Sequence, residues 1–285
     1  MKVLSPAKIN LFLHVTGKRP DGYHDLFTLM CGISLFDELT FELTGSGVSV
    51  RCGHSAIPSG ASNLAHRAAT LFFEHTGIQA GVSILLVKHI PVAAGLGGGS
   101  SNAATVLVWL NNRFGRPFSM DRLLELGALL GADVPFFIFG RPALATGIGN
   151  RLVHYPLLPA LPVVVIHPDI PVSTGDIYKS FNLTLTNNKK ISTIHSFTEQ
   201  TPFEFAKHLE NDLETVTLER YPEIGAAKKR LAAAGALGVL MSGSGPSVFG
   251  VFENQTAAKQ ACAAIPRQTG ERLFCATLLT AGHTA

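Results

Sequence analysis

Apolar and polar positions change rhythm along this 285-residue chain, and the changes mark its elements. From Pro6 to Leu13 they alternate, with Lys8 and Asn10 on one face and Ile9, Leu11 and Leu13 on the other. That two-residue period predicts a strand with one buried face, and β-rich sequence continues to about Val50. Helical spacing takes over from Ser62, a capping residue, to His75, and the apolar run Val82–Val87 reads as a short strand. After a glycine cluster the pattern predicts a helix from Ser101 or Asn102 to about Asn112, then another from Ser119 to Leu130. The continuous apolar run 161–168 predicts a buried strand that opens a second half. Helices are expected around 203–218 and 223–234. The end reads as strand 237–241, a Gly-Ser turn, strand 248–252, a helix from Thr256 and strand 272–279. The polar stretch 182–201 predicts a surface loop. No internal repeat is visible, and the whole predicts two α+β halves, 1–155 and 156–285, with a cleft between them.

Composition narrows the class. Hydrophobic residues make up 46% and charged ones 15%, enough apolar surface for a sizeable core and too much for a disordered chain. The formal charge of +3 is scattered rather than clustered, which argues against a nucleic-acid partner but suits an anionic small molecule. Cys31, Cys52, Cys262 and Cys275 include no Cys-x-x-Cys pair and the histidines no His-x-x-x-His pair, so a structural zinc site has little support. No signal-peptide core and no spanning segment of about 20 apolar residues is visible. A cytoplasmic, reducing setting is the expectation, with no membrane and no obligate protein partner implied.

Chemistry concentrates in Pro91-Val-Ala-Ala-Gly-Leu-Gly-Gly-Gly-Ser-Ser-Asn-Ala-Ala104. Glycines let a backbone turn tightly and aim several N–H groups at one point, and the helix start that follows adds unpaired amides and a positive dipole end. Together these predict a phosphate seat. It is not a P-loop, because no lysine follows the glycines, nor a Rossmann fingerprint, because Ser100 stands where glycine is needed. Asp133, among apolar and aromatic residues, could accept a proton from a hydroxyl, or serve as a helix cap before Pro135. Lys8 could hold an anionic group or be a solvated edge-strand charge. Met241-Ser-Gly-Ser-Gly-Pro-Ser247 contains more glycine and serine than a hairpin turn needs. Arg19-Pro-Asp-Gly-Tyr-His24 reads on its own as an ordinary turn with core aromatics, although the aromatic and imidazole that end it could stack on and bond a base.

Three of these segments, Pro91-x-x-x-Gly-Leu-Gly97, Gly131-Ala-Asp-Val-Pro-Phe136 and Ser242-Gly-Ser-Gly245, together with Pro6-Ala-Lys-Ile-Asn10, resemble the motifs of the GHMP small-molecule kinases, in order and over most of the chain. The resemblance implies a two-domain α+β fold. Its N-terminal half would be like the second domain of ribosomal protein S5, its C-terminal half ferredoxin-like, and the active site would lie in the cleft. It implies ATP with Mg²⁺ as cofactors, with metal ligands left unassigned. Lys8 and Asp133 would be the catalytic pair. Asn63, Lys88, Pro91, Gly95, Leu96, Gly97, Gly98, Gly99, Ser100 and Ser101 would bind ATP. The longer form Gly-Leu-Gly-Gly-Gly-Ser-Ser-Asn resembles the branch whose acceptor is 4-diphosphocytidyl-2-C-methyl-D-erythritol. For that acceptor the resemblance implies contacts from Asn10, Tyr23, His24, Ile148, Thr174, Tyr178, Gly243 and Ser244, with Tyr23 and Tyr178 on opposite faces of the cytosine. One departure is Asn150, where relatives often carry an acid.

Overall fold

Two long strands, β1 (Lys2–Lys18) and β2 (His24–Thr44), pair antiparallel and organise the first half. The computed structural model describes residues 1–54, 57–58, 60–181, 197–198 and 200–280, and every statement below concerns those residues. β1 is longer than the alternation predicts and is buried on both faces from Ser5 to Val15. Its register against β2 slips between Asn10 and Phe12. Such a bulge inserts a residue and reverses the side-chain alternation beyond it. Phe12 therefore joins Ile9 and Leu11 in one core cluster, while Leu13 lines the cavity with Lys8 and Asn10. This corrects the expected grouping of Leu13 with Leu11.

β2 also pairs with β4 (Gly81–Val87), which carries β3 (Val48–Cys52) parallel at the sheet edge. Helices α1 (Leu64–Thr76), α2 (Gly98–Arg113), α3 (Met120–Leu130) and α4 (Val134–Phe139) complete this half, and Phe72, Leu110, Leu126 and Phe136 fill its core. Asn63, rather than Ser62, caps α1 by accepting the Ala65 N–H, and the Ser119 hydroxyl caps α3 as its position predicts. The hairpin β5 (Ala143–Thr146) and β6 (Arg151–His154) pairs with β2 and closes the half.

The second half begins with β7 (Pro162–His167) and α5 (Thr174–Ser180). Residues 182–196 and 199, within the predicted surface loop, lie outside the described residues. The single helix expected over 203–218 is instead α6 (Phe205–His208), β8 (Glu210–Asn211) and α7 (Glu214–Arg220). The break has a physical reason. β8 runs parallel to β1, where the Asp212 N–H donates to the Leu13 carbonyl and the Asp212 carboxylate accepts the Val15 N–H. The polar run Glu-Asn-Asp thereby satisfies backbone groups of a buried strand. Next come α8 (Pro222–Ala233), β9 (Gly238–Met241), β10 (Val248–Val251), α9 (Gln255–Ala264) and β11 (Arg272–Leu279). The strands lie in the order β11-β7-β10-β9, antiparallel throughout, with Val164, Ile166, Leu231 and Phe252 in the core. β11 also pairs with β2 through Leu278 and Leu279, so one strand joins the two sheets. Cys262 and Cys275 form a disulfide between α9 and β11, which their sequence spacing did not suggest. No helix among the described residues is long and apolar enough to cross a membrane.

Candidate active site

The glycine loop owes its shape to three left-handed positions, one of them Ala93 at φ +53°. Gly95 has φ +75° and Gly97 φ +69°. A Cβ on Gly95 would lie 2.2 Å from the Ser242 carbonyl oxygen, and one on Gly97 would lie 2.9 Å from the Phe137 ring. Only glycine permits that backbone and that approach together. α2 begins at Gly98, with Gly97 as its N-cap, three residues before the expected start. The first intrahelical bond runs from the Ser101 N–H to the Gly97 carbonyl, so the N–H groups of Gly98, Gly99 and Ser100 have no helical partner. Two predicted ligands are turned away from the cavity. Ser101 is fully buried and its hydroxyl meets Ser5 Oγ at 2.7 Å. Leu96 is 1% exposed, and its carbonyl accepts the Lys8 N–H at 2.9 Å. Neither lines the cavity.

The remaining predicted residues do. One cavity of about 970 Å³ is lined by Asn63, Lys88, Pro91, Gly95, Gly97, Gly98, Gly99 and Ser100 at one end, and by Lys8, Asn10 and Asp133 in the middle. Tyr23, His24, Ile148, Thr174, Tyr178, Gly243 and Ser244 line the rest. Lys8, in β1, has a side chain only 5% exposed, so it is no solvated edge charge. Its ammonium donates to Asn10 Oδ1 at 2.7 Å and lies 3.6 Å from Asp133 Oδ2. Asn10 in turn donates to Thr28 Oγ1 at 2.9 Å, which fixes the amide's orientation. Asp133 stands at the N-cap of α4 but makes no capping bond. Its carboxylate, 37% exposed, faces Lys8 and the cavity instead.

The second glycine turn closes over the first. The Ser242 hydroxyl donates to the Gly95 carbonyl at 3.0 Å, and the Ser247 N–H donates to Ala94 at 3.3 Å. Ser244 Oγ meets Thr174 Oγ1 at 2.7 Å, joining the turn to α5. At the far end the His24 and Tyr178 rings lie 5.2 Å apart, while Tyr23 is 59% exposed. Burial, then the charge of Lys18, holds the His24 imidazole below 6.5. Burial, then the charge of Asp133, pushes the Tyr178 phenol above its ordinary range. Ile148 sits in the β5–β6 turn, which is held by the Leu26 N–H donating to the Gly147 carbonyl at 2.7 Å. Asn150, in that turn, is exposed and does not line the cavity.

Comparison with known proteins shows the family. Residues 63–141 match the GHMP kinases N terminal domain, and residues 194–272 match the GHMP kinases C terminal domain. The chain belongs to the GHMP kinases. This kinase is 50% identical over 262 residues to the 4-diphosphocytidyl-2-C-methyl-D-erythritol kinase of Geobacter metallireducens, covering 92% of each chain. It is 47% identical to the enzyme of that name from Syntrophotalea carbinolica, over 95% of this chain and 96% of that one. A solved 4-(cytidine 5'-diphospho)-2C-methyl-D-erythritol kinase superposes with a TM-score of 0.81 at 39% identity, covering 98% of the kinase and 99% of that chain. The homoserine kinase of Cytophaga hutchinsonii shares the fold, with a TM-score of 0.78 at 21% identity over 98% of this chain and 94% of that one.

Residues that sequence reasoning missed also shape the cavity. The Asn211 amide, buried in β8, donates to both the Met241 and Gly243 carbonyls at 2.8 Å and holds the second glycine turn. A lone asparagine inside an expected helix gave no usable signal. Lys18 and Lys179 line the aromatic end. Lys18 precedes the Arg19–His24 turn and Lys179 follows Tyr178, so proximity to residues already singled out was the available clue.

Proposed function

We propose that this kinase transfers the γ-phosphoryl group of ATP to the 2-hydroxyl of 4-diphosphocytidyl-2-C-methyl-D-erythritol, giving the 2-phosphate and ADP, in isoprenoid precursor synthesis by the non-mevalonate route. The observation that carries the reading is the single cavity that joins a glycine seat, the Lys8–Asp133 pair and an aromatic end. The kinship with enzymes named for that acceptor supports it.

In this reading residues 1–155 form the nucleotide-binding half and 156–285 the second half. ATP's phosphates rest on the free N–H groups of Gly98, Gly99 and Ser100, with the base end toward Asn63. Asp133 accepts the proton of the 2-hydroxyl as that oxygen attacks the γ-phosphorus in line, and the β–γ bridging oxygen leaves with ADP. Lys8, fixed by Asn10, holds the acceptor oxygen and offsets the charge that develops on the phosphoryl group. Tyr23 and Tyr178 stack on the cytosine and His24 bonds its edge, while Lys18 and Lys179 offset the acceptor's diphosphate.

Mg²⁺ usually takes few protein oxygens and binds through phosphates and water. The donor set fits that sparse role. Asp133 is the only carboxylate on the described cavity wall and is paired with Lys8, so the Ser100 hydroxyl would be the protein ligand. When bound, the ion would offset phosphate charge.

The test is ATP consumption with Mg²⁺, offered the cytidylyl acceptor, methylerythritol phosphate, homoserine or mevalonate, with phosphorus NMR of the product. Turnover confined to the cytidylyl acceptor, with a new phosphomonoester signal, is expected. Turnover with another acceptor would discard the roles given to Tyr23, His24 and Tyr178.

A further inference from the structure

Behind the glycine loop lies a carboxylate that none of the chemistry above uses. Asp37, in β2, is fully buried. Its Oδ1 accepts the N–H groups of His89 at 2.8 Å and Ile90 at 2.9 Å, the two residues that lead into Pro91. Its Oδ2 accepts the Asn102 amide at 3.0 Å and the ammonium of Lys88. Lys88 also donates to Asn102 Oδ1 at 3.1 Å, and Asn102 donates to Ser5 Oγ at 3.0 Å. One carboxylate thus ties together the segment before the glycine loop, the first turns of the helix after it and the sheet beneath.

A buried ion pair is weak evidence for stability, because a well-packed apolar pair often does as well. Position is more telling here. The Lys88 ammonium lies 3.1 Å from where a Cβ on Gly98 would sit, so it stands directly behind the seat formed by α2's first turn. The Lys88 side chain is only 4% exposed and points to Asp37, which makes it a buttress of the seat. Both ends of the loop are fixed by the same group, and so is the aim of the N–H groups between them. Preorganised donors of this kind are worth most when their support is rigid.

We propose that Asp37 is a positioning residue for phosphate binding. It acts through Lys88, Asn102 and the His89–Ile90 backbone to hold the glycine loop in the shape that receives a triphosphate, without touching the nucleotide. This rests on the kinase reading above.

The test compares the full-length wild-type chain with Asp37→Asn and Asn102→Ala, titrating each with adenosine and with a non-hydrolysable ATP analogue plus Mg²⁺. The gain in affinity from adenosine to the triphosphate isolates the phosphate seat. Asp37→Asn is expected to shrink that gain about tenfold, the scale of a lost hydrogen bond to a charged group, while adenosine affinity stays as in the wild type. Asn102→Ala shifts it the same way by less. In steady state the KM for ATP rises and the KM for the acceptor does not. A purely structural role would lower the melting temperature and the active fraction without that split. An unchanged triphosphate gain in folded Asp37→Asn overturns the proposal. If Asp37→Asn does not fold, an unchanged gain in Asn102→Ala overturns it. Wild-type protein that binds no ATP analogue would overturn the kinase reading, and this inference with it.

Discussion

Gly95→Ala tests the contact between the two glycine turns. The alanine must adopt φ +75°, which costs an L residue about 1–2 kcal/mol, and its Cβ would lie 2.2 Å from the Ser242 carbonyl oxygen. That oxygen is backbone and cannot swing aside. The turns must part by about 1 Å to reach even the short end of an ordinary contact. The separation also stretches the bond from the Ser242 hydroxyl to the Gly95 carbonyl. A misplacement of about 1 Å is worth about 100-fold in rate, so kcat/KM for ATP should fall by that factor, or about 2.7 kcal/mol of transition-state stabilisation. The assay is ADP release in a coupled system, with both substrates varied. Gly225→Ala is the control, since its Cβ would meet nothing within 4 Å and the residue lies in α8. It should leave the rate unchanged and raise stability by about 0.5–1 kcal/mol through helix propensity. Gly95→Ala with near wild-type kcat/KM would show that the turns need not touch during catalysis.

Other perturbations separate the remaining roles. Asp133→Asn should lower turnover by about 10²–10⁴ while an ATP analogue still binds, and undiminished single-turnover rates would remove Asp133 as the proton acceptor. Tyr23→Ala should raise the KM for the cytidylyl acceptor alone, by the roughly 1–3 kcal/mol that stacking on one base supplies, and an unchanged KM would take Tyr23 out of the site. Asn211→Ala strips the Met241 and Gly243 carbonyls of their donor, and chemical denaturation should show a loss of about 1–3 kcal/mol. His167, 5% exposed, is pushed down to about 4 by burial and then by the charge of Arg272. Between pH 6.5 and 4 the unfolded chain therefore binds more protons than the folded one. Stability is full above pH 6.5 and falls by roughly 3 kcal/mol as the pH drops to 4. His167→Asn should flatten that part of the curve of melting temperature against pH, and a curve of unchanged slope would refute the assignment.

What the sequence made legible is local. Ser119 caps α3, the apolar run ending at His167 becomes a buried strand, and the glycine cluster becomes a loop feeding a helix, because each depends on neighbours a few residues away. Most of the residues singled out through motifs line the cavity, and Lys8 and Asp133, 125 positions apart in the numbering, do meet. Features set by distant partners escaped. The bulge that sends Leu13 into the cavity is fixed by register with β2, and β8 exists because β1 has backbone groups to satisfy. Ser101 reads as a phosphate ligand until α2 is seen to start at Gly98, which turns its hydroxyl toward Ser5. The Cys262–Cys275 pair forms because α9 folds back on β11, a matter of tertiary packing. Asp37 stands beside Glu38 in a strand that carries other polar residues, so it offered no distinct local signal, and its partners lie 51 to 65 residues away.

The shared strand β11 has a consequence for anyone who would take this molecule apart. Its first six residues complete the sheet of the second half and its last two pair with β2, so the final described strand is a seam. A chain cut before Arg272 would lose more than a terminal strand. It would bare an edge of β7 and the Gly32–Ile33 stretch of β2, unpaired backbone of the kind that recruits other chains. The two halves are therefore poor candidates for separate expression or for exchange with a homologue's halves. A swap that keeps the seam intact would have to carry β2 and β11 together, although more than 220 positions of the numbering separate them.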